Sequence, residues 1–456
     1  TLGFALLADP AARARGYAEI SALVRRFPDA PESGRAQLRL ADGLLAAGDA
    51  AAAAREYETL LQAYPEHTLD AHVLEGRGRA FTSLSRHVEA YGAVPAGALQ
   101  PQARLRRAEA LLRAQHADEA VSLFRALAGG TDGIAVEAAL CLAALHASRG
   151  HFEQAISDYG ALLGAEGGRV PTAEQRVRAL SGRGRALYRA YRFREAKADF
   201  AAIAGFETCA TNAHATATRR LEALVRAARC ATALPDFPKV VELAGRVVSK
   251  AAADTSAKAT DETPYVAEAL VLQGEALKEL ARFDEAILVF ERAGRMPVSD
   301  ALRYRAEVSR ADCLFAMGAN DTKCYRAALE SYRALLRGEK LTPSARLGLS
   351  FKIARTYEKL RRFDEAAETY YTHVVLAYWN GVRPDAGDDA ARRVWFDGTA
   401  RAFFARAAFS LADYYEARGE SRQAARVLDY LVAARVPSAD EAKRRIQRLK
   451  EKGGFR

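Results

Sequence analysis

A chain of 456 residues that is 50% hydrophobic and 27% charged has ample apolar surface for a packed interior, which excludes an intrinsically disordered protein. Its 67 basic residues against 57 acidic ones leave a formal charge of +10, which permits an acidic partner without requiring one. No apolar run reaches the roughly 18 residues that a membrane-crossing helix needs, and five widely spaced cysteines without a C-x-x-C pair speak against a disulfide framework.

In chain order, residues 1–33 read as a partial repeat with one helix from about Pro10 to Arg26. The chain begins at Thr1 rather than Met, from which we expect an N-terminal segment to have been processed or cut away. From residue 34 a phrase recurs: a turn, two mostly charged residues, an alanine, then an aromatic four places later. It reads GDAAAAAREY ending at Tyr57, HADEAVSLF ending at Phe124, GHFEQAISDY ending at Tyr159 and YRFREAKADF ending at Phe200. It returns as ARFDEAILVF ending at Phe290, YRAALESY ending at Tyr332, RRFDEAAETY ending at Tyr370 and SRQAARVL ending at Leu428. Degenerate copies surround Ala90 and Val240. Each phrase starts a second helix (helix B), and upstream of it lies the small residue of a first helix (helix A). Those small residues are Ala41, Gly78, Ala108, Ala143 and Gly184, then Ala228, Gly274, Ala311, Ala354 and Ala412. Small meeting large lets two antiparallel helices approach closely.

This pattern resembles the tetratricopeptide repeat, whose helix A carries a small residue and whose helix B carries A-x-x-x-F before a closing proline. The resemblance implies an all-α fold, a right-handed superhelical solenoid of about ten antiparallel helix pairs with a C-terminal capping helix. The expected layout is an N-terminal array over 34–204, an irregular linker over 205–220, and a second array over 221–437 with insertions at 250–264 and 379–400. A capping helix and tail then occupy 438–456, with Ser438 as its N-cap and Glu441 three residues on. Family members hold proteins or peptides in a concave groove lined by helix A, so the expected function is that of a non-enzymatic scaffold. The alternatives are an interaction domain of a larger enzyme or regulator whose catalytic part is missing from this chain, or an RNA-binding helical repeat. The stretch Phe27–Pro65 is also similar to helix pairs of bacterial envelope proteins, the Tol-Pal coordinator and the outer-membrane assembly lipoprotein. That similarity sets an expectation of a periplasmic or envelope location.

Catalytic signatures fail. The chain holds no G-x-x-x-x-G-K-[ST] loop, G-x-S-x-G elbow or H-E-x-x-H pair. The glycines of the two GRGRA phrases, Gly76 with Gly78 and Gly182 with Gly184, fall inside helix A and read as close helix packing rather than a phosphate cradle. Asp385, Asp388 and Asp389 lack the spacing of a calcium loop. His146 reads as a packed histidine, and Cys141, Cys230 and Cys313 as small buried apolar residues. No cofactor, metal or small-molecule substrate is expected. Unequal repeats and aromatics at core positions disfavour nucleic acid.

The groove should therefore be read from charge. Arg178, Arg185 and Arg189 stand at i, i+7 and i+11, one face of one helix, and form a basic stripe. Glu268, Glu275 and Glu279 repeat the spacing as an acidic stripe, with Arg229 between the two and Arg355 and Lys359 farther on. Two readings stand open: an acidic partner lying on the basic residues, or a ladder of ion pairs between adjacent helices. Trp379 and Trp395, in the 379–400 insertion, read either as a partner anchor or as extra helical turns packed on the array.

Overall fold

The computed structural model describes residues 12–28, 30, 32–64, 71–84, 101–165, 168–205, 213–253, 259–338, 341–382 and 396–453. All regular structure among them is helical. Two compact units divide the chain, Thr1–Thr216 and Ala217–Arg456.

In the first unit a single helix, α1 (Arg13–Arg26), precedes α2 (Ser33–Ala46) paired with α3 (Ala50–Ala63) and then α4 (Ala71–Ser83). The degenerate partner of α4, expected around Ala90, lies outside the described residues. Three further pairs follow: α5 (Pro101–Arg113) with α6 (Ala117–Ala128), α7 (Gly133–Ser148) with α8 (Phe152–Leu163), and α9 (Ala173–Arg189) with α10 (Phe193–Gly205). The unit boundary falls in the first turn of α11 (Ala213–Ala233). With it the second unit holds α12 (Phe237–Ala253), the pair α13 (Ala259–Glu279) and α14 (Phe283–Gly294), and the pair α15 (Asp300–Met317) and α16 (Thr322–Leu336). Next come α17 (Pro343–Lys359) with α18, then α19 (Gly398–Ala417) with α20 (Ser421–Ala433), and finally α21 (Ala439–Gly453). Helix α18 starts as Phe363–Thr369, widens to a π-helix over Tyr370–Leu376 and closes as Ala377–Val382.

Three segments expected to interrupt the helices are shorter than the sequence suggests. Helix α11 takes in 213–220 of the linker, α12 and α13 reach into 250–264 from both sides, and α18 and α19 take the ends of 379–400. Alanine-rich stretches such as AHATAT have good helix propensity without any apolar period, so a period search passes over them. The three aspartates Asp385, Asp388 and Asp389 and Trp395 lie outside the described residues.

Seven of the described turns between A and B helices share one construction. The residue after helix A takes a left-handed backbone at Gly48, Gln115, Gly150, Tyr191, Ala281, Arg361 and Gly419. The next amide then bonds a carbonyl of the last helical turn: Arg192 N to Leu187 O, Arg282 N to Leu277 O and Arg362 N to Tyr357 O, each 2.9 Å. That 6→1 bond satisfies a carbonyl the helix end would otherwise leave open. Those three arginines also fork onto the glutamate three residues on, Glu195, Glu285 and Glu365.

Pairs lock small against large as the phrase requires. A methyl group on Gly274 would lie 2.6 Å from the Phe290 ring, and one on Gly182 would lie 2.3 Å from Tyr159 of the preceding pair. The GRGRA glycines thus serve packing. Cys230 and Cys313 are buried and Cys141 half-buried, and burial pushes the Cys141 and Cys313 thiols up to about 11, which leaves them inert. At the C-terminus α21 lays Ala442, Ile446 and Leu449 on α20 and keeps its other faces polar. Ser438 precedes it, but its hydroxyl is buried without a hydrogen bond, so the expected side-chain cap does not form.

Candidate partner-binding groove

The A helices of successive pairs touch, α2 with α4, α5 with α7, α7 with α9, α13 with α15 and α17 with α19. They form the face on which the sequence places the groove. In each unit one column of that face is the residue following each small residue: Asp42, Arg79, Glu109, Ala144 and Arg185 in the first, and Arg229, Glu275, Asp312, Arg355 and Asp413 in the second. Five of these side chains meet a pairing group on the next A helix or on α21: Asp42 with His72, Arg229 with Glu268, Glu275 with Arg305, Asp312 with Lys352 and Asp413 with Arg445.

The acidic and basic stripes are largely an ion-pair ladder. Arg178 Nη1 donates to both Glu137 oxygens at 2.8 Å, and Arg305 forks onto Glu275 with Nε 2.8 Å from Oε1. Arg229 pairs with Glu268, Arg106 with Glu75, and Arg445 with Asp413. These pairs span adjacent A-type helices, or α19 and α21. Of the two readings left open for Arg178, Arg185 and Arg189, the ladder accounts for the first. Arg178 belongs to Glu137, and Arg185 turns its Nε to the Ser181 carbonyl at 3.3 Å. Arg189 is exposed and makes no salt bridge among the described residues. Lys359 is likewise exposed at the end of α17. Arg229 is spent in the ladder. Trp379 is half-buried with its ring 5.6 Å from Tyr430 of α20, so its place is that of extra helical turns packed on the array.

One place escapes the ladder. Arg355 of α17 and Arg406 of α19 form no salt bridge among the described residues, and each guanidinium lies over a ring: Arg355 5.5 Å from the centre of Phe315, Arg406 5.3 Å from Phe351. Between them opens a cavity of about 250 Å³ lined by Asp312, Phe315, Tyr332, Phe351, Lys352 and Phe403 as well as the two arginines. Phe351 and Phe403 stack at 4.9 Å. The one carboxylate of the cavity is already engaged, since Asp312 accepts the Tyr332 hydroxyl at 2.6 Å and holds Lys352. What remains is two cations on an aromatic wall.

That arrangement accepts a carboxylate. A guanidinium lying over a ring is held by its face and keeps its edge N–H groups for planar oxygen pairs. The volume suits one acidic side chain or chain end rather than an extended cofactor. Of the sequence candidates, Arg355 alone sits in this cavity. Arg406, Lys352 and the three phenylalanines were missed, because a sequence shows which helix face a residue occupies but not which acids a neighbouring helix will supply. Nothing in the column signalled it: Asp312 and Asp413 flank Arg355 there, and only the packed structure shows that Lys352 and Arg445 engage them.

No protein-family model matches the chain, and no curated protein matches it. Among solved structures, the apo form of the quorum sensor NprR from B. thuringiensis aligns at 14% identity and a TM-score of 0.37, over 76% of this chain and 98% of that one. NprR in complex with its cognate peptide NprX aligns at 13% identity and a TM-score of 0.33, over 77% and 98%. A tetratricopeptide repeat protein from Parabacteroides merdae aligns at 15% identity and a TM-score of 0.27, over 66% and 94%. The fold is tetratricopeptide-like. That statement rests on the helix pairs themselves, with their small-on-large contacts and shared turn.

Proposed function

We propose that this protein is a non-enzymatic scaffold that holds an acidic segment of a partner protein on its helix A face, anchored where Arg355 and Arg406 flank the aromatic cavity. The observation that carries the reading is the pair of unneutralised guanidiniums in a face whose other charges are largely paired off. Arg355 is half-buried and Arg406 exposed, and a partner carboxylate would give both guanidiniums the salt bridge that the described residues do not. Affinity would come mainly from the desolvated carboxylate contact with its aromatic surround, and the exposed Arg185, Arg189 and Lys359 would speed encounter.

The test is capture by the intact chain followed by mass spectrometry, repeated with Arg355→Glu/Arg406→Glu. Loss of the main partner by the folded double variant supports the reading, and retention of that partner removes the cavity from the site. Loss instead in Arg185→Glu/Arg189→Glu, with the cavity intact, would move the site to the first unit. The envelope setting belongs to the same proposal. Fractionation of cells that express the full-length protein should place it in the periplasm or envelope, and a cytosolic location would remove that part.

A further inference from the structure

A second cavity in the same unit differs in chemistry from the arginine cavity and lies at a helix B tyrosine that has no column aspartate. In two pairs the helix B tyrosine gives its hydroxyl to an aspartate in the column after the small residue: Tyr57 to Asp42 and Tyr332 to Asp312. Of the other two helix B tyrosines, Tyr159 stands against a column alanine, Ala144, and Tyr370 against Arg355, which is turned to Phe315. Tyr370 is 1% exposed, and its buried hydroxyl makes no hydrogen bond of good geometry although the Glu358 carboxylate and the Ser410 hydroxyl lie close beside it. Leaving a buried hydroxyl unsatisfied costs about 1 to 3 kcal/mol, so such groups in native proteins call for an explanation.

The tyrosine opens the π-helical stretch of α18, the only one among the described residues, and such local widenings gather at functional sites. It lines a cavity of about 590 Å³ between α17, α18 and α19, which also includes Glu358, Ser410, Phe363 and Ala367. Glu358 and Ser410 are close enough to Tyr370 to influence its ionisation. Glu358 is half-buried and makes no salt bridge among the described residues. The other acids of the cavity are engaged: Asp364 with Arg418 at 3.2 Å, Asp413 with Arg445. The unengaged cation, Arg361, sits exposed in the turn at the rim.

We infer that this cavity binds a primary alkylammonium group, with the Glu358 carboxylate as counter-ion and the Tyr370 and Ser410 hydroxyl oxygens as the other two acceptors. A primary ammonium has three N–H donors and no acceptor, which matches one carboxylate and two hydroxyl lone pairs. Phe363 and Ala367 suit the alkyl stem. The volume lies in the range of small-molecule pockets and exceeds a bare ammonium, so the group arrives on a stem, as a lysine side chain of a partner or as a free amine. Burial raises the Glu358 carboxyl above its ordinary value even though the Tyr370 hydroxyl, Arg355 and Lys359 oppose the shift, which fits a carboxylate without a salt bridge among the described residues.

The test uses the full chain in a calorimetric or NMR titration with n-pentylamine, 1-pentanol and Nα-acetyl-lysine N-methylamide. We expect both ammonium probes to bind and pentanol to bind at least about tenfold more weakly, the equivalent of one charge-assisted contact. Glu358→Gln should weaken both ammonium probes about tenfold, and Tyr370→Phe should weaken them severalfold while leaving the helical signal intact. Tighter binding of the lysine derivative assigns the site to a partner peptide, and tighter binding of pentylamine assigns it to a free amine. Equal binding of amine and alcohol, or unchanged binding in a folded Glu358→Gln chain, overturns the assignment. If Glu358→Gln fails to fold, Ser410→Ala takes its place, with the same outcomes.

Discussion

At the scale of single residues, the structure shows one motif used twice and then altered. Asp42 accepts Tyr57 from its own pair and His72 from the next helix A at 2.8 Å. Asp312 accepts Tyr332 and then Lys352 in the same way. Each trio ties a pair to its successor through a half-buried carboxylate. Asp312→Ala should therefore destabilise the chain by about 3 kcal/mol or more, because Tyr332 and Lys352 both lose their partner, and urea unfolding would show it. Glu358 makes the opposite case. Its carboxyl is raised by burial, with Arg355, Lys359 and Tyr370 opposing the rise and Asp413 adding to it. A carboxyl raised in the folded state favours folding when protonated, so its contribution is present below the ordinary glutamate value of 4.5 and is lost as pH rises past the folded value. The melting temperature of Glu358→Gln relative to the parent chain should thus climb between about pH 4 and pH 7. A difference that stays flat with pH would show that Glu358 is not strained by burial.

At the scale of elements, helix ends carry the local information. Thr172 caps α9 through Gln175 N, and the Gln175 side chain returns the bond to Thr172 N at 2.9 Å, a capping box legible as T-x-x-Q. Thr172→Ala should cost about 1 kcal/mol in thermal unfolding. The left-handed turn residue was less legible. Glycine fills it at Gly48, Gly150 and Gly419, whereas Ala281 and Arg361 hold φ values of 58° and 61° with a full side chain. A β-carbon in that region costs about 1 kcal/mol, and glycine's extra freedom in the unfolded chain returns part of it. Ala281→Gly should therefore be neutral to stabilising by about 0.5 kcal/mol, whereas Ala281→Val should be clearly destabilising. Denaturant midpoints would rank the three.

At the scale of the whole molecule, the helix pairs form two units whose interiors are built from the same small-on-large contact. Phe290 is 1% exposed over Gly274, so Phe290→Ala should cost about 3 to 5 kcal/mol, and Gly274→Leu should overpack the same contact and cost at least about 1 to 3. Binding of the acidic partner should weaken as salt rises from about 0.05 to about 0.5 M, where the screening length falls from about 14 to about 4 Å, while the helical signal stays constant. Sequence by itself determined the architecture, because the phrase A-x-x-x-F and its small partner impose a steric condition that one stacking of helices satisfies. It also determined that Gly182 and Gly274 serve packing, and that Arg355 lies on helix A. Tertiary structure decided which charges remain free. Arg178 and Arg229 look equal to Arg355 along the chain, yet Glu137 and Glu268 neutralise the first two from neighbouring helices, and Arg355 meets the ring of Phe315. It also decided the cavity at Tyr370, since Glu358, Tyr370 and Ser410 come together only where three helices pack. Local sequence fixes what each residue can do, but a charge or a hydroxyl acquires its role from groups tens of residues away, whose positions only the packed helices set.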